Sequence, residues 1–250
     1  MTQMPDPASV AQPGFISHLI ELRGRLLRMI ISVLLVFIAT ATYANEIYHY
    51  LAEPLLAHMP QHSSMIAIDV ASPFFTPFKL AFLVAVFVDV PYILYQFWGF
   101  VAPGLYKHEK IMILPLLLAS TLLFYGGAAF AYFLVFPMVF GYLTAAAPEG
   151  VAVMTDISTY LDFVLAMFFA FGLSFEIPIV TIVLVWIGLV SPKTLADQRP
   201  YVIVGVFVIA MFLTPPDALS QTLLSIPMWM LFEIGLLLSR LIARKAEADK

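Results

Sequence analysis

Cysteine is absent from the 250 residues. That excludes a disulfide, a thiolate metal site and a catalytic thiol. Charge is scarce: Asp, Glu, Lys and Arg make up 11 % of the chain against 62 % hydrophobic residues. A soluble domain is nearer ~45–50 % apolar and ~25 % charged, so this is the composition of an integral membrane protein. No GxxxxGK[ST] loop is present, which excludes P-loop nucleotide binding, and there is no HExxH zinc motif. His58 and His62 stand four residues apart, but Pro60 between them breaks the helix that would align them as ligands. Gly172-Leu173-Ser174 lacks the glycine that follows the serine in a nucleophile elbow. All five histidines (18, 49, 58, 62 and 108) precede the third apolar segment, so Ser174 has no nearby base. A small polar residue easing helix packing accounts for it better. With no catalytic set, no cofactor and no metal site, the chain is not expected to be an enzyme. Internal repeats and low-complexity tracts are also missing. The polar, proline-bearing stretch 1–13 lacks the basic run and apolar core of a cleavable signal peptide.

What is present is apolar length. Six segments stand out: Leu26–Tyr43, Leu80–Phe100, Ile111–Phe140, Phe163–Val190, Tyr201–Leu213 and Ala218–Leu238. A spanning helix needs ~20 apolar residues. The first, second and sixth fit; the third and fourth are longer and must tilt, kink or project. Pro91, Pro115, Pro137, Pro178 and Pro227 mark bends, because each removes a backbone donor and crowds the preceding turn. The fifth segment gives only about 20 Å of helix at ~1.5 Å per residue, short of a hydrocarbon core of ~30 Å. Either the bilayer thins there or the helix reaches part way across. The expectation is an all-α membrane protein: one domain over 1–250, a concave bundle of six bent helices, with 1–16 and 240–250 as flexible cytoplasmic tails. The long connector from Ala44 to Pro77 is expected to be part helix along the surface, with Ile47, Tyr48, Leu51, Leu55 and Leu56 as its apolar stripe.

The basic residues fall on one side. Arg23, Arg25 and Arg28 precede the first segment. Lys107 and Lys110 lie between the second and third, and Lys193 and Arg199 between the fourth and fifth. Arg240, Arg244, Lys245 and Lys250 follow the sixth. Only Lys79, of the twelve lysines and arginines, falls opposite. The positive-inside rule puts both termini and these loops in the cytoplasm. The other face is acidic and proline-bearing, with Glu46, Glu53, Pro54, Asp69, Glu149, Asp156, Asp162 and Asp217.

Two stretches carry candidate chemistry. Phe97–Lys110, FWGFVAPGLYKHEK, is a short interfacial turn holding Glu109 among Lys107, His108 and Lys110; it is either a membrane anchor or a recognition site. Glu21 stands four residues before Arg25, so it is either a helical ion-pair partner or a ligand for something else. Asp89 and Glu176 sit within spans, and Glu233 lies nearer the cytoplasmic end of the last one. An intramembrane carboxyl is a functional candidate, with a protonated side chain bonded to proline-freed carbonyls as the alternative. A proton relay through Asp89 and Glu176 would make the protein a secondary transporter, although no repeat of the kind common in transporters is visible.

Ser17-His18-Leu19-Ile20-Glu21-Leu22-Arg23-Gly24-Arg25 resembles the N-terminal signature of the TatC family, the C subunits of the twin-arginine protein translocase. The resemblance continues through DVASPFFTPFK (Asp69–Lys79), PYILYQFWGFVAPGLYKHEK (Pro91–Lys110), FAYFLVFP (Phe130–Pro137), FGLSFEIP (Phe171–Pro178), RPYV (Arg199–Val202) and LTPPD (Leu213–Asp217). It implies a receptor for folded precursors whose signal peptides carry paired arginines. It further implies single-span partners, TatA and TatB, a homo-oligomeric receptor complex, and export across the bacterial cytoplasmic membrane by the proton-motive force. No nucleic-acid partner is implied; membrane lipid is. Carried over residue by residue, Glu21, Arg23, Arg25, Phe100, Leu105 and Glu109 would bind the signal. Pro54 would be a sensitive outer-side position, Glu176 the polar residue of the concave face, and Met211 part of the TatB docking surface. Asp89 departs from the family pattern, and no role is carried over to it. Two arginines need carboxylates in a partly desolvated setting, since Arg–carboxylate forks are strong and directional.

Overall fold

The computed structural model describes residues 15–49, 65–101, 113–145, 155–213 and 218–248. Pro54, Leu105 and Glu109 lie outside the described residues, as do most of the expected surface stripe and the Thr214–Asp217 stop. The chain there is helical apart from the connectors 67–71 and 187–191 and one two-residue parallel bridge pairing Met65 with Thr155 and Ile66 with Asp156. In order the helices are α1 (Phe15–Thr40), α2 (Ser72–Val101), α3 (Ile113–Phe130), α4 (Phe136–Ala145), α5 (Ile157–Trp186), α6 (Pro192–Asp197), α7 (Arg199–Leu213) and α8 (Ala218–Ala248). A 3-10 turn, Ala41–Tyr43, continues α1 toward His49. Five of the helical runs are long and apolar enough to cross a membrane; α7 is apolar but shorter.

Helix ends differ from the apolar segments where polar residues extend a helix beyond its apolar part. Helix α1 begins at Phe15 because Ser17–Arg25 is itself helical. Helix α8 runs to Ala248, so 240–248 continue the helix. Helix α5 stops at Trp186 and not at Val190: Gly188 adopts φ +74°, a left-handed conformation suited to glycine.

The prolines act locally. A π-helical turn, Ala131–Val135, separates α3 from α4 just before Pro137. Pro137 cannot donate to Phe133 and its ring crowds that carbonyl; the wider turn absorbs both effects. In α2, Pro91 leaves the Phe87 carbonyl without its helical donor, and the Tyr125 hydroxyl on α3 donates to it at 2.8 Å.

Burial is asymmetric along the bundle. The main core joins the first halves of α2, α5 and α8 to the π turn, α4 and α7, with Leu80, Phe136, Leu161, Met167, Phe171 and Leu224 inaccessible. The other half has a smaller cluster around Trp98, Ile179 and Val183. Helices α3 and α5 touch backbone to backbone, since a Cβ on Gly127 would lie 2.5 Å from the Phe171 carbonyl oxygen. Such close approach substitutes for the hydrophobic drive that lipid does not supply. At the main-core end, Asp156 N-caps α5 and ties in the bridge. Its carboxylate accepts from the Thr159 amide at 3.0 Å, the Thr159 hydroxyl at 2.9 Å and the Ile68 amide at 3.2 Å. These bonds, the Thr159 amide foremost, hold Asp156 below the ordinary carboxylate range. Lys79 on α2 pairs with Asp162 on α5 nearby.

Candidate functional site

Helix α1 exposes most of its apolar surface, with Leu19, Leu26, Ile30, Leu34 and Ile38 among the exposed side chains. It is fastened to α2 by anchors along one stripe. His18 stacks on Phe100 with ring centroids 4.1 Å apart. Arg25 reaches Gln96, donating from Nη1 to Oε1 at 3.3 Å and to the main-chain oxygen at 3.5 Å. Ser32 donates to Asp89 Oδ1 at 2.6 Å, and Thr40 to the Ala81 carbonyl at 3.0 Å. On α1 the first three anchors follow a heptad, which keeps them on one face. Their partners descend α2, so the helices run antiparallel.

The end of this seam holds the candidate site. Glu21 accepts from Arg25 Nε at 2.9 Å and Nη2 at 2.7 Å, both on Oε1. No described residue donates to Oε2. The ion-pair reading of Glu21 is therefore realised, yet half the carboxylate stays open. Arg23, two residues away, is exposed. Phe100, half-buried under His18, ends the stripe one residue before the end of α2, where the chain leads toward Leu105 and Glu109. The structure thus gathers Glu21, Arg25 and Phe100 at one helix-pair end.

Trp98 faces the other way. Its indole N–H donates to Ser120 on α3 at 3.1 Å, and Ser120 lies near the Glu176 carboxyl on α5. All three are buried. Glu176 Oε1 and Asp89 Oδ2 have no partner among the described residues. Asp89 accepts from Ser32, and no hydrogen bond among the described residues links the two carboxyls into a relay. On the same side of the bundle, Arg199 at the start of α7 forks Glu233 of α8, Nε to Oε1 at 2.6 Å and Nη2 to Oε2 at 2.7 Å. Met211, near the far end of α7, is half-exposed.

Sequence reasoning did not single out Gln96, Gly99, His18, Trp98 or Ser120 as neighbours of the candidate site, although all but Ser120 lie within the stretches it quoted. The heptad of His18, Arg25 and Ser32 was a usable signal for the seam. Nothing comparable marks Trp98 and Ser120. No group of three or more His, Cys, Asp or Glu suited to a metal occurs among the described residues.

The family model for Sec-independent protein translocase protein (TatC) matches residues 17–227. The chain is 58 % identical over 230 residues to the Sec-independent protein translocase protein TatC of Haemophilus influenzae, covering 92 % of this chain and 90 % of the relative. It is 53 % identical over 247 residues to the corresponding protein of Azotobacter chroococcum, covering 99 % and 96 %. A crystal structure described as the twin arginine translocase receptor TatC superposes with a TM-score of 0.82 at 39 % identity, covering 90 % of this chain and 98 % of that one.

Proposed function

Because the chain belongs to the TatC family of Sec-independent protein translocase proteins, we propose that it is the subunit that receives twin-arginine signal peptides. In that role it delivers folded precursors for export across the cytoplasmic membrane by the proton-motive force. The observation that carries the reading is the half-open carboxylate of Glu21, held by Arg25 at the end of the α1–α2 seam. A guanidinium offers a planar edge of donors that a carboxylate oxygen receives well, whereas an ammonium is compact and strongly hydrated. Glu109, eight residues beyond the end of α2 in sequence, supplies the second carboxylate, and Arg23, Phe100 and Leu105 take part in binding the signal. Both termini are cytoplasmic, and α7 completes a set of six spans by thinning the bilayer around it.

TatA and TatB dock as single-span partners, and several copies assemble in the receptor complex. Two features support a partner on α7: the half-exposed Met211, and a cavity of about 160 Å³ between α7 and α8 that includes Ser225 and Trp229. The Ser225 hydroxyl is buried without a partner among the described residues. Pro54 acts on the outer side, and Glu176 serves the concave face.

The test is binding of a twin-arginine signal peptide and its twin-lysine version to the protein in nanodiscs at fixed salt. Hydrogen bonds to charged groups are worth ~1.5–3 kcal/mol, and ~1.4 kcal/mol is tenfold in affinity. The wild type should therefore prefer the arginine peptide by about tenfold or more. Glu109→Ala should shrink that preference, and Glu21→Ala should do so to a lesser degree. A full preference retained by Glu109→Ala removes Glu109 as the reader and leaves its loop an interfacial anchor.

A further inference from the structure

Arg25 is held from two sides, and the second side has no part in the recognition chemistry above. A guanidinium is rigid, so fixing one edge fixes the others. Its Nη1 points to Gln96 Oε1 at 3.3 Å and the Gln96 main-chain oxygen at 3.5 Å. Gln96 is 3 % exposed, so its carbonyl has little access to water and needs a protein donor. Gly99, three residues on, leaves room for the guanidinium: a Cβ there would lie 2.6 Å from Nη1.

The consequence shows in a contrast within the molecule. Arg199 takes Glu233 as a full fork, Nε on one oxygen and Nη2 on the other, at 2.6 and 2.7 Å. Arg25 presents the same two nitrogens to Glu21, yet both land on Oε1, at 2.9 and 2.7 Å. The two pairs differ in span, since Glu21 stands one turn from Arg25 on the same helix while Glu233 is on another, and in their third contact, since Nη1 of Arg25 is engaged by Gln96 against Gly99. The parallel fork is the favoured Arg–carboxylate arrangement. A constraint that denies it to Arg25 leaves Glu21 Oε2 open.

We propose that Gln96 and Gly99 are positioning residues for guanidinium recognition: they hold Arg25 on one oxygen of Glu21 and keep the other for an arginine of the signal peptide. This rests on the reading of Glu21 as a signal ligand. Without Gln96, Arg25 swings into the full fork and competes with the incoming arginine for both oxygens.

The experiment compares twin-arginine and twin-lysine signal peptides on the full-length protein in nanodiscs, with Gln96→Leu, Gly99→Ala and Gln96→Glu. Gln96→Leu should weaken the arginine peptide by roughly fivefold to tenfold, the loss of one charged hydrogen bond, and barely change the lysine peptide. Gly99→Ala should act in the same direction by pushing Nη1 off Gln96. Gln96→Glu retains an acceptor for Nη1 and should keep the arginine preference. Unchanged lysine-peptide binding shows that a variant is folded. A merely structural role would weaken both peptides alike in Gln96→Leu and Gly99→Ala, and that result overturns the proposal. So does full arginine preference in both variants while Glu109→Ala has lost it; recognition then stands and only the positioning role falls. A wild type that does not distinguish the peptides overturns both readings.

Discussion

The Tyr125 hydroxyl repairs a defect that Pro91 makes. Proline lacks the N–H that would bond the carbonyl four residues back, which here is Phe87, and in hydrocarbon no water replaces it. Tyr125 donates to that carbonyl at 2.8 Å from the neighbouring helix. Interhelical hydrogen bonds in membranes average ~0.6 kcal/mol and reach ~1.7. Tyr125→Phe should therefore destabilise the protein by about 0.6–1.7 kcal/mol in unfolding from mild detergent. In a Pro91→Ala background the helix regains its own donor, and the same substitution should cost close to nothing. A double-mutant cycle reads the difference as coupling, and an equal cost in both backgrounds removes Tyr125 from this role. The irregularity before Pro137 was legible in the sequence, as was the idea that freed carbonyls find side-chain donors. The donor was not legible: Asp89 looked suitable, but it takes Ser32 instead. The pairing of Tyr125 with Phe87 spans 38 residues, and helix α2 is apolar all round, so hydropathy does not say which face meets α3.

Among the elements, the cap of α5 has a carboxyl whose contribution changes with pH. Asp156 joins the helix N-terminus to the Met65–Ile66 strand, and its carboxyl is held below the ordinary carboxylate value by the Thr159 amide first and the Ile68 amide next. A depressed carboxyl contributes stability fully above its unfolded value, ~3.9. That contribution is lost as pH falls through the lower folded value. Amide exchange at Thr159 and Ile68 should be independent of pH-driven opening near neutrality, then lose protection below about pH 4, once intrinsic exchange rates are corrected for. Asp156→Asn should lower protection at neutral pH and remove the acid transition. Protection that shows no acid transition in the wild type refutes the cap as the sensitive element. This cap follows the N-cap rule, and Asp156 stands just before the apolar stretch of α5, so its place was open to a sequence reading. The bridge from Ile68 across 88 residues was not. The α1–α2 seam divides likewise: heptad spacing of His18, Arg25 and Ser32 marks one face, but Phe100, Gln96 and Asp89 as its partners required the fold.

At the scale of the whole molecule, charge and packing pick out the same end of the bundle. Eleven of the twelve lysines and arginines fall at one end in the sequence reading. The structure brings several of these chain regions together there: His18 meets Phe100, Arg25 meets Gln96, and Arg199 meets Glu233. The exception explains itself. Lys79 lies at the opposite end and is paired with Asp162, so its charge is offset locally. Since the positive-inside rule weighs lysines and arginines near helix ends, it predicts that the His18–Phe100 end faces the cytoplasm. A reporter active only outside the cytoplasm should be silent after Lys250 and active within 146–154; a cytoplasmic reporter should give the reverse. The two fusions can share a compartment only if an odd number of the segments between them fails to cross. The short α7 is the natural suspect, and such a result would overturn the six-span reading. Opposite compartments establish that the chain from that loop to its end crosses an odd number of times, which α5, α7 and α8 together supply.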